Sequence, residues 1–291
     1  MQHRGERGVR SRKNATEGRV IDDRLVKRRP SGVLDLRAGR RWFDTAQYRP
    51  APELSELIEH YWRVHWDMGD HEPYTQDTLS NASVHLVVER GRSQLLGIVT
   101  GRFTRVLEGR GRVFGVKFRP AGFHAFGRSP VSKLTNRSLA VAEVFGQDGD
   151  ALVERVLGLE DNLRIVEAYD AFFRAKLPAP DPNVGLLNGL VARIVGDRNI
   201  TTVELVAREA GIGKRTMQRL FSEYVGVSPK WVIRRYRLHE AEERLAAGED
   251  VDLAALALDL GYYDQAHFAK DFCAIVGRPP AAYRRGAAET D

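Results

Sequence analysis

Thr201-Thr-Val-Glu-Leu-Val-Ala-Arg-Glu-Ala-Gly211 returns fifty residues later as Val251-Asp-Leu-Ala-Ala-Leu-Ala-Leu-Asp-Leu-Gly261. In register, Val203 matches Leu253, Val206 matches Leu256, Ala207 matches Ala257 and Gly211 matches Gly261. Each copy reads as a short helix with one apolar face, closed by a glycine that can take the left-handed conformation. The first copy also opens on a capping-box pattern, Thr201 to Glu204. After one inserted residue the match resumes: Met217 with Phe268, Arg219 with Lys270, Phe221 with Phe272, Gly226 with Gly277. A helix, a tight turn containing glycine and a second helix make a helix-turn-helix unit, and the small Ala207 and Ala257 let its two helices approach. The chain therefore carries this unit twice.

Between the copies, Ser228-Pro229 supplies a serine N-cap and a proline at the first helical position. The spacing predicts one helix from there to about Ala247, stopped by Gly248. Some twenty residues at 1.5 Å each give a rigid spacer of about 30 Å. Successive major grooves on one face of B-DNA lie about 34 Å apart. Charge follows the same division. From Gly213 to Arg237 the charged residues are Lys214, Arg215, Arg219, Lys230, Arg234, Arg235 and Arg237 against Glu223 alone, whereas Leu238 to Asp264 is strongly acidic.

Taken together, these residues resemble the DNA-binding domain of the AraC/XylS family of bacterial transcription regulators. The resemblance covers about Asn183 to Arg285. It is carried by Arg215-x-Met217-x-Arg219-x-Phe221, Gly226-x-Ser-Pro229, Arg237-Leu-x-x-Ala241 and Leu245, then by Leu256-Ala257, Gly261-Tyr262, Asp264, Phe268-x-Lys270-x-Phe272, Gly277-x-Pro-Pro280 and Tyr283-Arg284. It implies a sequence-specific regulator that binds double-stranded DNA through two recognition helices in adjacent major grooves, and that works with RNA polymerase. By the family's pattern the first recognition helix starts near Lys214 and presents Lys214, Arg215, Gln218 and Arg219, with Ser222 beside them. The second presents Gln265, His267 and Lys270. Arginine and glutamine suit base-edge readout because each can make paired hydrogen bonds to guanine or adenine; the other side chains would touch phosphate and set the register. Family arginines at the positions of Arg219 and Lys270 can instead brace the fold. Met217, Leu220, Phe221, Phe268 and Phe272 are read as core. Two departures stand out: Gly213 replaces a capping serine, and Ser222 and Cys273 replace a lysine that often follows the helix phenylalanine, which removes phosphate contacts.

Upstream, Leu177-Pro-Ala-Pro-Asp-Pro182 reads as a Pro-rich linker, residues 178–182, because prolines so close together stop a helix. Before it the pattern is mixed. Pro52 to Trp62 places Leu54, Leu57, Ile58 and Tyr61 at helical spacing. Short alternating segments come next at Val84-Val88, Leu96-Ile98 and Val113-Phe118, separated by glycines, as in antiparallel strands. Helices are expected over 139–145, 151–157 and 162–173. The fold class is thus α+β: a small antiparallel barrel or curled sheet with helices over 31–177, then an all-α reader over 183–286 and a short tail at 287–291. The patterns Tyr61-Trp62 and Phe114-Gly-Val-Lys-Phe118-x-Pro120-x-Gly122 resemble a poorly characterised barrel-like domain found on some AraC-type regulators. That resemblance implies a sensor for a small-molecule effector, or a dimerisation unit giving a homodimer.

No catalytic constellation, phosphate-binding glycine loop or paired-acid motif is present, so the chain is read as a non-enzyme without a cofactor. His60, His65, His71, His85, His124 and Glu89 lack the close His-x-His spacing of a cupin-like metal site, and no metal is expected. With one cysteine, Cys273, there is neither an intramolecular disulfide nor a multi-cysteine zinc site. No apolar run spans a bilayer, and the start has no signal-peptide pattern, so a cytoplasmic protein is expected. The formal charge of +6 over 291 residues is concentrated in residues 1–30, which hold ten Lys/Arg and four Asp/Glu; the remainder is balanced at 35 against 35. Those thirty residues read as a disordered basic tail.

Overall fold

A computed structural model describes residues 24–26, 32–34, 39, 41–127, 129–247 and 251–288, the last two without their side chains. Most of the basic tail lies outside the described residues. Arg24 to Val26 do not fit the disordered reading: Leu25 bridges to Tyr48, the Val26 N–H donates to the Gln47 carbonyl, and Arg24 pairs with Asp170 at 2.6 Å.

Among the described residues the sheet-rich half has eight strands: β1 (Phe43–Tyr48), β2 (Ile58–Asp67), β3 (Tyr74–Leu79), β4 (His85–Glu89), β5 (Gln94–Leu96), β6 (Arg102–Leu107), β7 (Arg110–Phe118) and β8 (Ser138–Leu139). Six form an antiparallel sheet in the order β1-β2-β7-β4-β5-β8, while β3 and β6 pair separately. The expected barrel or curled sheet is thus an open sheet accompanied by a two-stranded ribbon. The helix expected over Pro52 to Trp62 does not form. A single 3-10 turn, Pro52–Leu54, leads into β2. Leu54, Leu57, Ile58 and Tyr61 are all buried, as helical spacing required, but a run this short fits either period. The adjoining residues break the tie: Tyr-Trp-Arg-Val-His-Trp is rich in aromatic and β-branched side chains, and β2 pairs with strands on both sides.

One sheet face carries Tyr61, Leu86, Phe114 and Val116 into the main core, where helices α1 (Val141–Phe145), α2 (Gln147–Gly158) and α3 (Asn162–Arg174) cover it. Tyr61 stacks on Tyr169, and Phe118 packs against Phe123 and Phe173. Asp170, only 3% exposed, accepts hydrogen bonds from the Ala51 N–H and the Tyr61 hydroxyl and pairs with Arg24, so the buried carboxylate is satisfied.

The Pro-rich segment does interrupt the helices. Helix α3 ends at Arg174, and α4 (Pro182–Gly196) begins with Asp181 as N-cap. It does not separate two cores. A single buried cluster runs from Tyr48 through the sheet and α4 to Ile233, and a second joins Leu34 and Leu79 to Leu245, Phe268 and Tyr283. Polar contacts cross the same boundary. Asn188 accepts from the Ala121 N–H and donates to the Glu56 carbonyl. Thr135 donates to the Gly226 carbonyl, and the rings of His124 and Tyr224 meet, tilted, with centroids 3.9 Å apart. The expected boundary at 178–182 is therefore a break between helices.

The long helix α7 (Pro229–Ala246) carries the most demanding of these contacts. Buried Arg235 donates to the carbonyls of Thr100 and Gly101. Burial lowers its pKa to about 10, which leaves it charged at neutral pH. Removing the guanidinium strands two half-buried acceptors, each worth about 1–2 kcal/mol. Arg235→Ala should lower the unfolding free energy by about 2–4 kcal/mol in chemical denaturation. His239, also buried on α7, approaches the Ser80 carbonyl at 3.4 Å. Burial first, then Arg235, pushes its pKa down to about 3, and burial holds His85 at about 3 as well. Both are neutral when folded, whereas the unfolded chain takes up their protons below about 6.5. Stability should therefore fall as pH drops from about 6.5 toward 3. His239→Gln should flatten that slope in thermal melts.

Candidate nucleic-acid interface

The first unit consists of α5 (Val203–Glu209) and α6 (Lys214–Leu220), the latter running into a wide π turn, Phe221–Val225. The N-cap of α5 is Thr202, whose hydroxyl accepts from the Leu205 N–H; the expected cap at Thr201 is displaced by one residue. Glu204 is therefore not the reciprocal partner of a capping box. It forms an ion pair with Lys214 instead. Gly211 takes φ +65°, the left-handed conformation expected of it, and the Ile212 N–H closes back on the Ala207 carbonyl. Gly213 caps α6 with no side-chain bond, as the missing serine implied.

The second unit repeats this geometry with α8 (Leu253–Asp259) and α9 (Gln265–Val276), and α10 (Pro280–Ala288) comes after it. Gly261 takes φ +78°, and Tyr262 N–H closes on the Ala257 carbonyl. Here the caps are acidic: Asp252 accepts from Ala254 and Asp264 from His267. Met217, Leu220, Phe221, Phe268 and Phe272 are buried, as expected. Between the units, Ser228 caps α7 by accepting from the Trp231 N–H. At 18 residues, α7 is about 27 Å long.

All seven expected contact residues are exposed: Lys214, Arg215, Gln218 and Arg219 on α6, and Gln265, His267 and Lys270 on α9. Lys214 is engaged by Glu204, and His267 Nε2 lies 3.9 Å from Asp271. The side chains of the other five make no hydrogen bond or ion pair among the described residues, which leaves their donors for an external partner. Arg219 and Lys270 are thus not bracing the fold in this structure. Bracing falls to an arginine that the repeat did not single out. Arg237 is fully buried, donates to the carbonyls of Ile194 and Asp197 at 2.7 Å, and pairs with Glu240. Its position inside an apolar stripe of α7 was the available signal.

A second polar cluster lies on the sheet face opposite the main core. Strand pairing puts Lys117 between His60 and His85, and Gly115 between Trp62 and Val87. A Cβ on Gly115 would sit 2.2 Å from the Trp62 ring, so this close approach requires glycine. Lys117 pairs with Glu59 at 3.0 Å. Burial pushes the Glu59 carboxyl up, but His60 and Lys117 outweigh it and hold it well below the carboxylate range. Trp62 Nε1, Ser83 Oγ, Asn81 Oδ1 and His239 Nδ1 are buried without a hydrogen-bond partner. Elsewhere the histidines and Glu89 that could suggest a metal are dispersed: His71 packs on Trp42, His65 lies near Asp44, and Glu89 pairs with Arg105. No group of three or more potential ligands gathers among the described residues. Nor is any helix there long and apolar enough to cross a membrane.

Comparison with known proteins divides the chain in the same way. Residues 206–286 match a family described as a helix-turn-helix domain, and residues 46–140 match a domain of unknown function, DUF6597. An uncharacterized HTH-type transcriptional regulator of Haemophilus influenzae is 29% identical over 100 residues, which is 34% of this chain. The chain spans about a third of the length of that relative, 33%. Among solved structures, the DNA-binding domain of AdpA in complex with a target DNA is 23% identical, covering 38% of this chain and 96% of that one, with a TM-score of 0.32. ToxT from Vibrio cholerae is 13% identical, covering 84% of this chain and 98% of that one, with a TM-score of 0.38. Both superpositions are loose. The repeated unit and the matched family agree on one point: residues 206–286 are a helix-turn-helix domain.

Proposed function

We propose that this chain is a sequence-specific transcription regulator that lays α6 and α9 into two adjacent major grooves of double-stranded DNA. The observation that carries the reading is the pair of helices α6 and α9, each exposing polar side chains without a partner among the described residues, in two repeated units joined by the single helix α7. A connecting helix of about 27 Å is of the same order as the roughly 34 Å between successive grooves. Arg215 and Gln218 read base edges at one end of the site and Gln265 and His267 at the other, while Lys214, Arg219 and Lys270 hold phosphates. RNA polymerase contact follows from the resemblance, and the role is regulatory, with no catalytic step. Bound genomic fragments selected with the full chain should yield a bipartite site, protected over two successive major grooves in footprinting. Arg215→Ala and Gln218→Ala should relax base preference in one half, and Gln265→Ala and His267→Ala in the other, each costing about 1–3 kcal/mol on the selected site. Altered preference at the same base pairs for both sets would overturn the assignment.

The sheet-rich half, about residues 31–177, is read as the controlling unit, either sensing a small molecule or joining two chains. The specific observation in favour of sensing is the polar sheet face around Trp62, His85 and Lys117. Its buried, unpartnered atoms are donors and acceptors that a polar ligand would satisfy. A metabolite bound there should raise the melting temperature in a saturable way, and Trp62→Phe should weaken that response. A purely dimeric unit would show dependence on protein concentration alone.

A further inference from the structure

The two turns differ by one residue. In the first, Gly211 and Ile212 lead directly to the cap Gly213; in the second, Gly261 and Tyr262 are followed by Tyr263 before the cap Asp264. Tyr262 occupies the place of Ile212. It is buried, and its ring meets His267 and Phe268. The extra residue has no such role. Tyr263 is 90% exposed, and its side chain makes no hydrogen bond or ring contact among the described residues. Leaving an aromatic ring with a polar tip in water is the pattern of a residue waiting for a partner.

Its surroundings say which partner. Tyr263 immediately precedes the cap of α9, the helix that exposes Gln265, His267 and Lys270. The start of a recognition helix is the part that enters the groove, so a residue just before the cap borders the phosphates on its rim. The first reader is strongly cationic, with Lys214, Arg215 and Arg219 on α6 and Arg208 exposed on α5. The second has Leu258 in the place of Arg208, and across residues 251–277 Lys270 is the one Lys or Arg against Asp252, Asp259, Asp264 and Asp271. With so few cations, its backbone contacts must come largely from neutral donors.

We propose that Tyr263 is a DNA contact of the second reader, its phenol hydroxyl donating to a phosphate that flanks the groove entered by α9. This rests on the DNA-binding reading above. The test uses the full chain on its selected site. Tyr263→Phe should weaken binding about fivefold to tenfold, the worth of one hydrogen bond. Because no cation is removed, the slope of log affinity against log salt should not change, whereas Arg219→Ala should reduce its magnitude by about one. Phosphate ethylation interference should lose one position in the second half-site with Tyr263→Phe and none in the first. The thermal midpoint should match the parent, since the ring packs on nothing. Parent-like affinity for Tyr263→Phe, or an unchanged interference pattern, overturns the proposal while leaving DNA binding intact. A parent chain that selects no DNA overturns both.

Discussion

Everything in this structure is referred to one helix. On α7, Arg235, Arg237, His239 and Glu242 are all buried, although ionisable groups are the most costly to take out of water. Each is met by a directional partner in a different part of the molecule. Arg235 donates to the loop before β6, Arg237 to the end of α4, His239 approaches the turn after β3, and Glu242 accepts from Tyr283 of α10 at 2.6 Å. Apolar packing alone would let these bodies slide over the helix. Buried polar groups with directional partners fix one register, because any other arrangement leaves a donor or a carbonyl unsatisfied.

The same arrangement explains why the two readers and the sheet form a continuous interior. Leu34 and Leu79 enter the core of the second unit, and the first unit shares a core with the sheet. Neither reader is fully enclosed by its own residues. The relative placement of α6 and α9 is therefore set by the sheet-rich half as well as by α7.

The repeat was legible because it is local. Apolar spacing, left-handed glycines and caps act within a few residues, so both units and the spacer helix could be read directly, while the seven polar positions came with the family resemblance. The cap at Thr202 was misplaced because Thr201 and Thr202 offer the same hydroxyl one residue apart. β2 was misread because Leu54 to Tyr61 satisfies a helical period, and only pairing with β1 and β7, a non-local fact, decides for the strand. β1, β3 and β6 lack clean alternation for the same reason, being held by register with distant strands. The inter-half contacts left no local trace at all. A buried Arg235 that meets the carbonyls of Thr100 and Gly101 looks, in sequence, like one more member of a basic stretch.

The shared interior also bears on synthesis. As the chain leaves the ribosome, the sheet appears first, with Leu79 bare until more than a hundred further residues, those up to α7, have emerged. Contacts of such sequence separation form late and slowly. During that interval the nascent half exposes apolar surface and open strand edges, a state that favours association with other chains. A first half left open in this way is the kind of surface that chaperones bind.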